Sequence, residues 1–121
     1  MSEIVTLKEN KEFRRLYTRG KSYVSPVLVS YVVKNRSKNI RIGITTSKKI
    51  GNAVKRNRAR RVILESFRMI HSRLKPGYDF VFVARGKTPY VKRDEVFLSM
   101  EDHMKKAGIL RKNEINTTKS T

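Results

Sequence analysis

No cysteine occurs in this chain of 121 residues, which excludes disulfides, thiolate zinc sites, iron–sulfur clusters and a cysteine nucleophile. Long apolar runs are missing too. The longest stretch without a charge, Ser22 to Val33, spans 12 residues, well short of the roughly 20 that cross a bilayer. The first residues, Met1-Ser-Glu-Ile-Val5, lack a basic region followed by an apolar one, so no secretory signal is expected. Acidic residues are the scarcest class relative to need: 10 Asp and Glu against 29 Lys and Arg leave 29 − 10 = +19. A chain so charged needs an anionic partner. An anionic membrane surface would call for an exposed apolar helix face rich in Trp, Phe or Leu, and none is evident. The expectation is a soluble, cytoplasmic protein with no membrane partner.

What is present is one-sided. From Phe13 to Leu64, between Glu12 and Glu65, lie 52 residues with no acid and 15 bases. A surface meant only for solubility would mix the signs and avoid self-repulsion. A surface that tracks phosphates and releases their counterions would not. The apolar fraction, 38%, is enough for a core. The length fits a single domain, expected over residues 1–110, with a polar and disordered tail over 111–121.

Hydrophobic spacing gives the order helix, two strands, helix, strand, helix. Thr6 to Glu9 has the form of a capping box; Phe13, Leu16 and Tyr17 follow at helical spacing, and Gly20 stops the helix. Val27 to Val33 alternates as a strand, Asn35 to Asn39 is a polar turn, and Ile40, Ile42 and Ile44 alternate again, so the pair is expected to form a hairpin. Pro76-Gly77 breaks the chain before a largely apolar strand, Tyr78 to Ala84. A last helix carries Phe97, Met100, Met104 and Ala107 on one side.

The central helix is expected from about Val54 to Leu74. Ala59, Val62, Ile63, Ser66, Phe67, Ile70 and Leu74 fall on one stripe at about 100° per residue, with Arg58, Arg61 and Arg68 nearly opposite and Glu65 among them. The segment leading into it, Ser47 to Arg61, holds seven bases and no acid. Free N–H groups, the positive end of the helix dipole and guanidinium forks then converge on one place, a natural phosphate site. Single-stranded RNA can be held where aromatic rings stand beside such a basic groove. Phe13, Tyr17 and Tyr31 could supply the rings, and Lys48, Lys49, Arg56 and Arg60 the charges; ordinary core packing is the other reading of each ring. A catalytic site looks unsupported: His71 and His103 share no partner pattern, and the adjacent acids Asp94-Glu95 and Glu101-Asp102 diverge on a helix instead of converging on a metal.

The block Lys48-Lys-x-Gly51-Asn-Ala-Val-x-Arg56-Asn-Arg58-x-Arg-Arg61 resembles the signature of the bacterial ribonuclease P protein subunit. Phe13-x-x-x-Tyr17-x-x-Gly20 is similar to the family's first helix, with Tyr17 where Phe is frequent. Arg41-x-Gly43 resembles its second strand, and Tyr78 to Arg85 the strand after the long helix. The likeness runs from about Leu7 to Ala107.

The resemblance implies a two-layer α/β (α+β) sandwich related to a ribosomal-protein domain, with a left-handed βαβ crossover that the general rule would not predict. It implies partners: the ribonuclease P RNA and precursor tRNA, with no DNA. Catalysis, with its Mg²⁺, would belong to the RNA, leaving no catalytic residue, metal ligand or tightly bound cofactor in this chain, a monomer with one copy per RNA. The RNA-binding residues would be Lys48, Lys49, Asn52, Lys55, Arg56, Asn57, Arg58, Arg60, Arg61 and Arg68. A cleft between the sheet and the central helix would take the 5′ leader through Phe13, Tyr17, Tyr31, Arg56 and Asn57. Two other classes share some features. A ribosomal or rRNA-assembly protein would bind rRNA without affecting tRNA maturation. A helix-turn-helix DNA regulator would need a helix where Ile40 to Thr46 reads as strand.

Overall fold

The computed structural model describes residues 4–111. Its elements run β1 (Ile4–Thr6), α1 (Asn10–Arg19), β2 (Lys21–Val24), β3 (Leu28–Lys34), β4 (Ile40–Thr45), α2 (Ala53–Ile70), β5 (Tyr78–Ala84) and α3 (Arg93–Ala107). Together they make the mixed α+β sandwich that the sequence implied. The five strands form one sheet in the order β1-β4-β5-β3-β2. Helices α2 and α3 cover one face, and α1 lies on the other. No helix among the described residues is long and apolar enough to cross a membrane.

The expected hairpin does not form. Strand β5 stands between β3 and β4, antiparallel to the first and parallel to the second. The reason lies in β5 itself: six of its seven residues are apolar, so it needs cover on both faces and neighbours on both edges. Strands β1 and β2 carry too little pattern to be read in advance. One has three residues, and the other, on an edge, is mostly exposed. The capping box also moves. Thr6 belongs to β1 and the Leu7 amide donates to the Ile42 carbonyl at 2.8 Å. Glu9 is the N-cap, and the Glu12 carboxylate accepts from the Glu9 amide at 3.3 Å. The central helix ends at Ile70 and tightens into a 3₁₀ turn, His71–Arg73, before the buried Leu74. On α3, Val96 fills the core position expected of Phe97, which is only half-buried. The tail expected over 111–121 lies outside the described residues except for Arg111, whose amide donates to the Arg73 carbonyl at 2.7 Å.

Two parallel crossovers bear on handedness. β1 passes through α1 to β2, and β4 passes through α2 to β5; all four strands run the same way. Both connections step in the same direction across the sheet order but over opposite faces. They therefore have opposite hands, and one of them departs from the right-handed rule.

Burial follows the two-residue period of the strands. Leu28, Val32, Ile40, Ile42, Phe80 and Phe82 face α2 and α3, where Phe67 packs between Phe80 and Phe82 at ring-centre distances of 5.7 and 5.6 Å. His103, which shares no partner pattern with His71 in the sequence, is buried in this layer with Nδ1 2.7 Å from the Ser30 hydroxyl. Across the sheet, Leu7, Leu16 and Val81 are the fully buried apolar residues under α1. Phe13, Tyr31, Val33 and Val83 pack around them, partly exposed.

Candidate nucleic-acid interface

The strand period puts Gly43, Tyr31 and Val81 on the α1 face. Helix α1 in turn directs Phe13 and Tyr17 toward the sheet. Phe13 presses the edge of its ring on Gly43, where any Cβ would come within 2.5 Å of the ring, so glycine is what admits it. Tyr17 meets Tyr31 edge to face at 5.0 Å between ring centres. Its hydroxyl stands 2.9 Å from that of Thr45. Tyr17 is 40% exposed, while Tyr31 and Phe13 are half-buried. Of the three rings, Tyr17 is the most exposed, so it alone escapes the core-packing reading outright.

This position corrects one expectation. The rings were to line a cleft between the sheet and the central helix, but α2 packs its apolar stripe on the opposite face. The two halves of the site meet instead at the end of β4. There Tyr17 bonds Thr45 from one side. From the other, Arg60 donates to the Ile44 carbonyl at 3.1 Å and the Thr46 hydroxyl at 3.0 Å. The interface is thus a rim that turns the sheet edge, with rings on one slope and the basic loop on the other.

The loop is shaped by local chemistry. Lys48 and Lys49 stand exposed on a 3₁₀ turn. Gly51 follows at φ +141°, a conformation a side chain would strain. Asn52 caps α2, its side chain accepting from the Lys55 amide at 3.0 Å. Arg56 is half-buried and donates to the Gly51 carbonyl at 2.7 Å, so it braces the loop. The Lys55 ammonium lies 5.1 Å over the exposed Tyr90 ring. Lys48, Lys49, Asn57, Arg61 and Arg68 are exposed, with no side-chain partner among the described residues. Arg58 is the second correction. Read as a free outer-face arginine, it donates to the carbonyls of Pro89 at 2.7 Å and Val91 at 3.3 Å, tying α2 to the turn before α3.

Sequence reasoning missed an ionic cluster beside the rings. Asp79, fully buried on β5, accepts from Arg41 Nε at 2.8 Å and Nη2 at 2.6 Å, and from Asn35 Nδ2 at 2.7 Å. Arg15 of α1 pairs with it as well. Arg41 also donates to Glu12 at 2.8 Å. Burial alone would push the Asp79 carboxyl up, but the hydrogen bonds from Arg41 and Asn35 and the charges of Arg41 and Arg15 outweigh it and hold the group below its ordinary range. The signal was one acid inside an otherwise apolar strand. Glu101, read as a solvent-facing acid, pairs with Arg73 at 2.7 Å. Among the described residues no three His, Asp or Glu stand together as metal ligands.

Comparison with known proteins decides the family. The ribonuclease P family model matches residues 1–108. The chain belongs to the ribonuclease P protein family. A ribonuclease P protein component from Clostridium beijerinckii is 43% identical, over 95% of this chain and 98% of that one. Another from Clostridium novyi is 46% identical over 85% and 93%. Among solved structures, the Staphylococcus aureus RNase P protein superposes with a TM-score of 0.78 at 31% identity, covering 90% of this chain and all of the other. The Thermotoga maritima RNase P protein gives 0.74 at 27% identity, over 84% and 96%. The family's extent matches the folded unit that carries both the ring slot and the basic loop.

Proposed function

We propose that this chain is the RNA-binding protein component of ribonuclease P, binding the catalytic RNA and the 5′ leader of precursor tRNA to promote endonucleolytic removal of the leader. One observation carries the reading: an exposed tyrosine and a loop whose lysines have no side-chain partner among the described residues meet at a single rim, the two elements that a single strand of RNA requires. Tyr17 and Tyr31 offer π-faces to unstacked bases. Lys48, Lys49, Asn57, Arg61 and Arg68 meet phosphates, with Asn52, Lys55, Arg56 and Arg60 shaping the loop. The hydrolytic step and its Mg²⁺ belong to the RNA, so the chain supplies no catalytic residue and no cofactor of its own. Its charge screens the repulsion between two polyanions, lowering the ion concentration at which they meet. It acts in the cytoplasm as a monomer, one copy per RNA, without a membrane or DNA partner.

The test is reconstitution. Added to a bacterial ribonuclease P RNA and precursor tRNA, the protein is expected to raise cleavage at low magnesium and moderate salt, while cleaving nothing alone. Cleavage by RNA-free protein would move the chemistry into this chain. Tight rRNA binding with no effect on tRNA maturation would favour a ribosomal role.

A further inference from the structure

The ring slot is mounted on a helix with little apolar hold. Helix α1 has ten residues and one fully buried side chain, Leu16, and a helix that short is marginal alone. Among the described residues, only Leu7 and Val81 join Leu16 in the buried cluster beneath it. Apolar packing of that extent resists removal of the helix but says little about its rotation or its slide along the sheet, because dispersion contacts are non-directional. The slot is sensitive to both. Phe13 must rest on Gly43, and Tyr17 must keep its edge on Tyr31 and its hydroxyl on Thr45.

Directional contacts come from four alternating charges. Glu12 and Arg15 stand one turn apart on α1, and Arg41 and Asp79 are register partners on β4 and β5. Glu12 binds Arg41, Arg41 binds Asp79 through two nitrogens, and Asp79 binds Arg15. The circuit closes through the helix, so α1 is fixed at two points one turn apart. Two points determine rotation and translation together, which one ion pair could not do. Asn35 takes the same Asp79 oxygen as Arg41 Nε and itself donates to the Asn39 carbonyl at 3.1 Å, so the carboxylate is oriented from a third direction. The charges balance as two against two, so the cluster leaves no charge uncompensated under the helix.

We infer that Asp79 is the positioning residue of the single-strand slot: through Arg15 and Arg41 it fixes the setting of α1 on the sheet, and so the geometry of Phe13, Tyr17 and Tyr31, without touching RNA. The inference rests on the leader-binding reading only for its consequence in tRNA binding; its structural half stands without RNA.

The experiment has two arms. In the free protein, the α-protons of Gly43 should show the ring-current displacement of a Phe13 ring edge packed against them. Arg15→Met cuts the helix end of the circuit while leaving Arg41, Asp79 and Glu12 paired, so the sheet keeps its compensated charges. It is expected to move the Gly43 resonances toward ordinary values with Phe67, Phe80 and Phe82 unshifted; Arg15→Lys should restore part of the displacement. Asp79→Asn should do the same from the other end, and more strongly. In the second arm, binding is measured on the assembled RNA–protein complex with precursor and mature tRNA. Arg15→Met should lose about tenfold for the precursor, comparable to losing stacked bases, with mature tRNA unaffected. Arg14→Met removes an equal charge from an exposed neighbour and should not discriminate between the two tRNAs. Unmoved Gly43 resonances in both Arg15→Met and Asp79→Asn would overturn the inference. So would an Arg15→Met protein indistinguishable from Arg14→Met with the precursor while the unsubstituted complex favours it over mature tRNA. If the unsubstituted complex shows no preference for the precursor, the leader reading fails, and displaced Gly43 resonances would still establish the positioning role.

Discussion

On the α2/α3 face of the sheet apolar side chains do nearly all the holding, whereas on the α1 face charges do. Among the described residues, the first cluster joins 19 buried residues around three phenylalanines. The second has three, beside a four-charge circuit in which Asp79 alone is fully buried. At roughly 1.5–3 kcal/mol for each large apolar side chain buried, the first face dominates stability. The second is left free to expose aromatic surface at the rim. Stability and recognition are thus divided between the faces of one sheet, and each can be perturbed with limited cost to the other.

The sharpest way to break the division is Phe67→Ala. It removes the ring between Phe80 and Phe82 and should cost about 3–5 kcal/mol in denaturant unfolding. Any RNA defect should then track the unfolded fraction and vanish in conditions that restore the fold. Next in size is the other face. Replacing Tyr17 and Tyr31 together by Leu removes two π-faces at roughly 1–3 kcal/mol per stacked base. Precursor tRNA should then bind the assembled complex more than about tenfold more weakly, with mature tRNA little changed. Equal weakening of both would show that the faces are not independent.

Arginines on α2 separate in the same way. Arg61→Ala with Arg68→Ala should leave stability within about 0.5 kcal/mol and reduce the log–log salt slope of RNA binding by somewhat under about one unit each. Arg58→Ala should cost about 1 kcal/mol of stability, because its bonds to the Pro89 and Val91 carbonyls are lost. A free, phosphate-only Arg58 would give the opposite pattern.

The smallest effect is one of pH. Burial lowers the His103 proton affinity first, with Lys106 adding to this and Asp102 opposing it; burial lowers that of His71 as well. Both are neutral in the fold and more easily protonated in the unfolded chain. Their contribution is therefore complete above the ordinary value of 6.5 and is lost as pH falls below it. The thermal midpoint should drop modestly between pH 7 and pH 5, and His103→Asn should flatten that drop.

The features legible in the sequence are those written locally. The apolar stripe of α2 sits where Ala59 to Ile70 place it, and the basic loop before it is a loop. The alternation of β3 assigned Tyr31 and Val33 to one face and Leu28 and Val32 to the other. Pairing was not legible. The strand that β3 and β4 share as a partner, β5, lies dozens of residues downstream, so proximity in sequence suggested a hairpin that non-local burial overrode. A helical wheel gave Arg58 its side but could not show that two carbonyls stand there. Asp79 announces itself only as an acid among Tyr78, Phe80, Val81 and Phe82, and its three partners come from three distant segments.

The sheet order has a consequence for biosynthesis. β5 is central in space but the last strand to be made, so β3 and β4 leave the ribosome with no partner in each other. Until residue 84 emerges, the nascent chain is a basic polymer in which the β1–β4 and β2–β3 pairs lack the strand that joins them. Its early segments can hold local helix, but the sandwich closes in one late step. The sandwich therefore stays open through most of synthesis, and truncation before Ala84 should leave the β1–β4 and β2–β3 pairs unjoined.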